Sequence, residues 1–248
     1  MTTVVHCSYH KCLTVYYARV MRGVFRSLGR RQSGYRQFNS YIDDFYEHFG
    51  DYRVTSVNNH ALDLDRLGDF RISRFVRDPR DLVVSGYFYH KRGAEEWCNI
   101  VDPSPEDWRV VNGNFPQGMG AGHSLSSYLQ SLNQEEGLLA EIEFRRNHLQ
   151  SMRDWPQDDS RIRVYRYEEI MGNEEDVFAN IAELYGLPLP HRKLARFFAN
   201  KYSAKKRTGR TQHIRNPSPG QWQNVFTPRV STFFREQYGD LLERYGYA

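Results

Sequence analysis

Residues Thr3-Val-Val-His-Cys-Ser-Tyr-His-Lys-Cys-Leu-Thr-Val-Tyr-Tyr17 set a short apolar run before a tight turn and a helix-patterned segment. Thr3 to Ser8 predicts a strand, and Leu13, Tyr16, Tyr17, Val20, Val24 and Leu28 then fall on one helical face. The same order recurs at Arg71-Ile-Ser-Arg-Phe-Val-Arg-Asp-Pro-Arg-Asp-Leu-Val-Val-Ser85. There Arg71 to Val76 predicts a strand, Pro79 suits a first helical turn, Asp78 suits its N-cap, and Asp81 suits the positive end of the helix dipole. Further strands are expected at Arg53 to Asn58 and Arg161 to Tyr165. Helical patterns cover Ser124 to Asp154, in two pieces split near Asn133, then Glu174 to Tyr185 and Pro228 to Tyr245, with Pro188 and Pro190 marking a turn. Strands alternating with helices predict an α/β fold, a three-layer sandwich around a central, mainly parallel sheet. Such sheets bind ligands at the carboxyl ends of their strands, where both quoted turns lie.

The chain has 248 residues, 40% of them hydrophobic and 15% aromatic, which argues for a closed core and against wholesale disorder. A single domain over residues 1–248 is the expectation. Between Gly93 and His123 the periodicity dissolves among Pro103, Pro105, Pro116, Gly113, Gly118 and Gly120, a pattern that predicts a functional lid or insertion. The first residues show neither a basic leader nor a long apolar run, so a soluble, cytoplasmic protein without a membrane segment is expected. Cys7, Cys12 and Cys98 are too few for a disulfide framework and lack zinc-type spacing.

The net charge of +4 conceals an uneven distribution. From Leu184 to Arg235 there is no Asp or Glu but there are eleven Lys or Arg, which leaves the remainder of the chain at −7. A local anion site and a basic solvated face both fit this pattern.

Lys11 and Lys91 are the only lysines before residue 193 in a chain whose habitual cation is arginine. A compact ammonium at a strand-to-helix turn, beside helix N-terminal amides, makes a place for a phosphate-like anion; a snorkelling surface lysine is the other reading. The turn lacks both glycines of a Walker A loop, and Cys12 follows the lysine where a magnesium-binding hydroxyl would stand. Thr14 still offers a hydroxyl. Arg77 and Ser85 combine a guanidinium fork with a hydroxyl on the following helix, suited to phosphate oxygens or simply to a capped, ion-paired helix start. Near the C-terminus, a Pro/Gly-rich stretch from His213 to Thr227 carries Arg215, with Trp222 placed to pin it to the core.

Together the three segments resemble the cytosolic-type sulfotransferases, which use 3′-phosphoadenosine 5′-phosphosulfate (PAPS). Tyr9 to Tyr16 matches the lysine and first threonine of the family's Pro-Lys-Ser-Gly-Thr-Thr-Trp-like loop. Arg77 to Ser85 matches Arg-Asn/Asp-Pro-Lys/Arg-Asp-x-x-x-Ser at full spacing. Arg215, Gly220, Trp222, Phe226 and Thr227 match Arg-Lys-Gly-x-x-Gly-Asp-Trp-x-x-x-Phe-Thr. The resemblance implies a P-loop NTPase-like sulfotransferase fold and sulfuryl transfer to a hydroxyl or amine of a small-molecule or glycan acceptor, with 3′-phosphoadenosine 5′-phosphate as product and no metal. It implies that Lys11 stabilises the leaving phosphate, that Arg77, Ser85 and Arg215 hold the 3′-phosphate, and that Cys12, Leu13, Thr14 and Val15 cradle the 5′-phosphate. Tyr167 would touch the adenine or serve as a core tyrosine, and residues 93–123 would cover the acceptor.

In many relatives the acceptor's base is a histidine after a strand that precedes the second motif, and related branches use a glutamate instead. His60 after Arg53 to Val57 occupies that place, with His10, His90 and His123 as weaker alternatives. Cys12 and Leu13 replace the first loop's Ser-Gly, so its turn must be made without glycine. Gln223, Pro228 and Thr232 depart from the pattern that pairs some relatives, which leaves the oligomeric state open. The competing readings are a nucleotide-dependent phosphotransferase on a similar sheet and, further off, an RNA-binding module using the basic segment; the main reading expects no nucleic-acid partner.

Overall fold

The computed structural model describes residues 2–29, 33–203 and 217–248. In chain order its main elements are β1 (Thr3–Ser8), α1 (Thr14–Ser27), β2 (Tyr35–Gln37), α2 (Ile42–His48), β3 (Val54–Asn58), β4 (Phe70–Val76) and α3 (Pro79–Lys91). There follow α4 (Leu125–Ser131), α5 (Gln134–Phe144), α6 (Arg146–Asp154), β5 (Ile162–Arg166), α7 (Tyr167–Ile170), α8 (Glu174–Leu184), α9 (Leu189–Tyr202) and α10 (Pro228–Tyr245). Contacts divide the chain into two compact units: Met1–Val76 with Pro156–Ile214, and Arg77–Trp155 with Arg215–Ala248.

The first unit holds a five-stranded sheet of order β2-β3-β1-β4-β5 in which every pairing is parallel. Val4 to Ser8 and all of β3 are buried, as strands covered on both faces must be, whereas β5 at the edge exposes Arg163 and Val164. The chain runs from β1 to one side of the sheet and then crosses to the other for β4, so β1 lies at the point where strand order reverses. The loops after β1 and β3 thus emerge side by side, with Ser8 paired to Asn58.

One face of this sheet is pinned by a polar–aromatic cluster. His6 stacks on Tyr17 of α1 at 3.6 Å and meets Phe75 of β4 edge-on at 4.4 Å. Its Nδ1 lies 2.7 Å from Ser73 Oγ, and Ser73 in turn bonds Tyr185, which bonds Tyr17 at 2.9 Å. Burial pushes His6 well below its ordinary pKa, so the ring stays neutral within its stack.

Departures from the expected elements have local causes. The three-residue strand β2 and the seven-residue helix α2 are too short for periodicity to show. Helix α9 begins where a turn was expected: Pro188 is its N-cap and Pro190 lies in its first turn, where a missing N–H costs nothing. It docks on α1 at Gly23, where a Cβ would stand 2.8 Å from the Phe198 ring. The helical stretch 125–154 breaks at Arg145 as well as at Asn133, giving three helices where two were expected.

The second unit is helical. Its segment 93–123 forms no long regular element but is packed down. Trp97 stacks with Phe144 at 5.7 Å, and Trp108, fully buried, stacks with Phe115 at 4.3 Å and meets Phe144 edge-on. Asp102 closes the loop, accepting from the Gly122 amide at 2.6 Å and donating its own amide to the His123 carbonyl at 3.0 Å. Among the described residues no helix is long and apolar enough to cross a membrane.

Candidate active site

The turn between β1 and α1 is made in the left-handed region by side-chain-bearing residues: Lys11 has φ 73° and Leu13 φ 60°. Glycine adopts this conformation freely; other residues resist it by roughly 1–2 kcal/mol each. The turn persists because its surroundings fix it. The Cys12 amide donates to the Tyr9 carbonyl at 2.8 Å, and the His10 amide donates to Asn59 Oδ1 at 2.6 Å. Cys12 is fully buried, Lys11, Leu13 and Thr14 are half-buried, and Val15 is exposed. Leu13 is the N-cap and offers no side-chain cap, so the first amides of α1 receive no hydrogen bond from it.

Beside this turn lies the end of β3. Asn59, also left-handed at φ 64°, donates its amide to the Ser8 carbonyl at 2.9 Å and its side-chain Nδ2 to Ser40 Oγ at 2.8 Å. His60 Nε2 sits 3.0 Å from the Ser40 carbonyl. A carbonyl only accepts, so Nε2 bears the proton in the neutral ring and Nδ1 bears the lone pair. Burial lowers the His60 pKa, partly offset by the Ser40 carbonyl and by Asp43, which keeps the ring a neutral base near pH 7. The structure therefore brings the Lys11 turn and His60 together through Asn59 and Ser40. Neither Asn59 nor Ser40 was singled out from sequence; the Asn58-Asn59 pair after a strand was the available signal, since Asn tolerates the left-handed region. Tyr167 opens α7 after β5 and is 4% exposed.

In the second unit the start of α3 is built as its sequence predicts. The Asp78 side chain caps the helix by accepting from the Arg80 amide at 2.9 Å, and Pro79 occupies the first turn. Arg77 is 3% exposed, with Nη2 3.6 Å from Asp81 Oδ2. Ser85 lies one helical turn beyond Asp81 and is half-buried. Asp81 does more than suit the dipole: its carboxylate accepts from the Gly220 amide at 2.7 Å and the Trp222 amide at 3.0 Å. The second and third motifs are joined by this one buried side chain. Arg80 adds a second tie. It forks onto Asp78 and lies 3.7 Å over the Trp222 ring, so Trp222 is held by a cation rather than sunk into an apolar core.

Arg215 lies outside the described residues, as does the central part of the basic segment. Of that segment's other cations, Arg192 pairs with Glu183, Arg196 with Asp176, and Arg229 with Glu135 and Glu136. For these three the solvated-face reading holds. Among the described residues no group of three or more His, Cys, Asp or Glu could hold a metal.

A family model described as "Sulfotransferase domain" matches residues 68–246. The chain belongs to this sulfotransferase family. Its activity is sulfuryl transfer, and the phosphotransferase and RNA-binding readings give way to it. The match takes in the second and third motifs; the Lys11 turn precedes it. Among solved structures, the mouse sulfotransferase SULT7A1 complexed with PAP is similar at 16% identity and TM-score 0.52, over 98% of this chain and 84% of that one. A retinol dehydratase in complex with androsterone and the inactive cofactor PAP is similar at 14% identity and TM-score 0.52, over 96% and 80%. A complex of retinol dehydratase with retinol and PAP gives 14% identity and TM-score 0.51, over 98% and 82%. At these identities the likeness establishes the shared fold. No curated protein matches the sequence.

For this sulfotransferase the histidines separate by environment. His90 is fully buried, with Nδ1 2.7 Å from Glu141 Oε2, and serves as a core hydrogen-bond partner out of reach of an acceptor. His123 sits near Ser127 in the helical unit, and the His10 backbone is tied to Asn59. His60 combines partial exposure, a lowered pKa and a bonded Nε2.

Proposed function

We propose that this sulfotransferase draws its sulfuryl group from PAPS and delivers it to a hydroxyl or amine of a small-molecule or glycan acceptor. The acceptor oxygen or nitrogen attacks sulfur as the bond from sulfur to the phosphate oxygen breaks in line. Lys11 stabilises the negative charge growing on that departing oxygen. His60 takes the acceptor's proton on Nδ1, so each atom and charge released has a destination. Cys12, Leu13, Thr14 and Val15 cradle the 5′-phosphate at the start of α1. Arg77, Ser85 and Arg215 hold the 3′-phosphate, Tyr167 borders the adenine, and residues 93–123 cover the acceptor. The transferred sulfuryl group bears less charge than a phosphoryl group, so a metal clamp is dispensable, in keeping with a thiol at Cys12.

The observation that carries the reading is the left-handed turn at Lys11 and Leu13. Strain held in place by neighbouring hydrogen bonds clusters at ligand sites, and a turn of successive backbone amides at the carboxyl end of a central strand suits an anion. Calorimetric titration with 3′,5′-adenosine bisphosphate, with and without magnesium, tests the donor half. Magnesium-independent binding, lost with 5′-AMP, is expected; equal binding of the two nucleotides overturns it. Radiolabelled PAPS against a panel of phenols, sterols, amines and glycans then identifies the acceptor.

A further inference from the structure

Four short polar contacts run from the Lys11 turn to His60 through residues outside every motif. The His10 amide donates to Asn59 Oδ1 at 2.6 Å, Asn59 Nδ2 donates to Ser40 Oγ at 2.8 Å, and the Ser40 carbonyl accepts from His60 Nε2 at 3.0 Å. The Asn59 amide donates to the Ser8 carbonyl at 2.9 Å, fastening the chain of contacts to β1 itself. Asn59 and Ser40 are 3% and 2% exposed. We propose that Asn59 is a positioning residue that sets the Lys11 ammonium and the His60 ring in one mutual geometry, with Ser40 as its relay.

Three features favour this over mere loop packing. Asn59 binds the backbone of the residue next to Lys11, in a turn whose left-handed φ values need an external restraint. Its amide side chain uses its acceptor toward one functional segment and a donor toward the other, so one planar group fixes the distance between them. Ser40 reaches the ring through its carbonyl, which selects the tautomer whose lone pair is on Nδ1. In-line transfer needs the cation at the leaving oxygen and the base at the entering atom simultaneously, so a shared strut acts on the transition state more than on donor binding.

The inference rests on His60 and Lys11 acting as proposed, and the test separates the two. Asn59→Gly keeps the left-handed backbone while deleting both side-chain bonds. With PAPS and 2-naphthol as probe acceptor, its single-turnover rate is expected to fall about 10²-fold, while affinity for 3′,5′-adenosine bisphosphate stays within about threefold. Combined with His60→Ala, the two losses are expected to fall short of multiplying by about tenfold or more. Ser40→Ala, which spares the carbonyl, should lose about tenfold in the same step and decides the matter by the same criteria if Asn59→Gly does not fold. A rate within about twofold of the parent, a loss mirrored in nucleotide affinity, or losses that multiply in full overturns the link. Failure of the underlying reading looks different: His60→Ala then turns over like the parent protein.

Discussion

The end of β1 and the start of α3 each carry a cation just past a parallel strand, and the two turns are built by opposite means. The α3 start is unstrained: proline in its first turn, an aspartate cap and a buried carboxylate whose partners are backbone amides. The β1 end forgoes glycine and a side-chain cap, bends through left-handed Lys11 and Leu13, and relies on Asn59 to hold the bend. The α3 start takes its cap and first turn from local chemistry and adds a distant tie through Asp81, whereas the β1 turn takes its restraint from Asn59, far along the chain. Substitutions at the two places should therefore fail differently, with stability lost at α3 and rate lost at β1.

The largest effect is expected at Asp81. Asp81→Asn removes the charge facing Arg77 and sets an NH2 group against one of the Gly220 and Trp222 amides, leaving a buried guanidinium undercompensated. Breaking one side of a buried pair costs about 3–5 kcal/mol. For a chain of this size that lowers Tm by roughly 10 °C or more, measured by calorimetry. A variant melting with the parent would show that Asp81 does not hold the third motif. Lys11→Met comes next. Removing one preorganised group opposite developing charge costs about 10²–10³ in turnover, roughly 3–4 kcal/mol, with bisphosphate binding retained. Turnover like the parent's would remove the ammonium from the chemistry.

What could be read in advance follows the same divide. Arg77 to Ser85 was legible because every step is local: Pro79, Asp78 and Asp81 act within one helical turn of each other. The ends of β1 and α10 were legible for similar reasons. Asn59, Ser40 and the second role of Asp81 were not, because their partners lie 49, 19 and 139 residues away and only the folded chain brings them together. Helix α9 was hidden by prolines that mark a turn and a helix start equally well, and Trp108 looked like loop sequence although Phe144 and Phe115 enclose it.

A pH profile sharpens the comparison at lower amplitude. Burial places the His60 pKa below its ordinary value of about 6.5, so the neutral base persists into mildly acidic solution. The acid limb of kcat/KM should fall below pH 6.5, and the His60→Ala protein should lose that limb. The linkage has the matching sign: a depressed folded-state pKa adds stability that is present above the unfolded value and is lost as pH falls through the folded one. An acid limb above about 6.5 would mean that a neighbouring carboxylate governs the ring instead of its burial.

The smallest effect is the most discriminating, because it asks whether strain at the β1 turn is incidental. Leu13→Gly installs the residue that φ 60° favours and relieves roughly 1–2 kcal/mol of left-handed strain. Glycine's extra freedom in the unfolded chain offsets about 0.4–1 kcal/mol of this, so a net gain near 1 kcal/mol and a rise of roughly 2–4 °C in Tm are expected. If Asn59 alone sets the turn, bisphosphate affinity and turnover should stay level, since the His10 to Asn59 bond survives the substitution. If the half-buried leucine side chain helps hold the turn against α1, the more stable protein should be the slower one, and the rate should fall without any change in the pH at which His60 titrates.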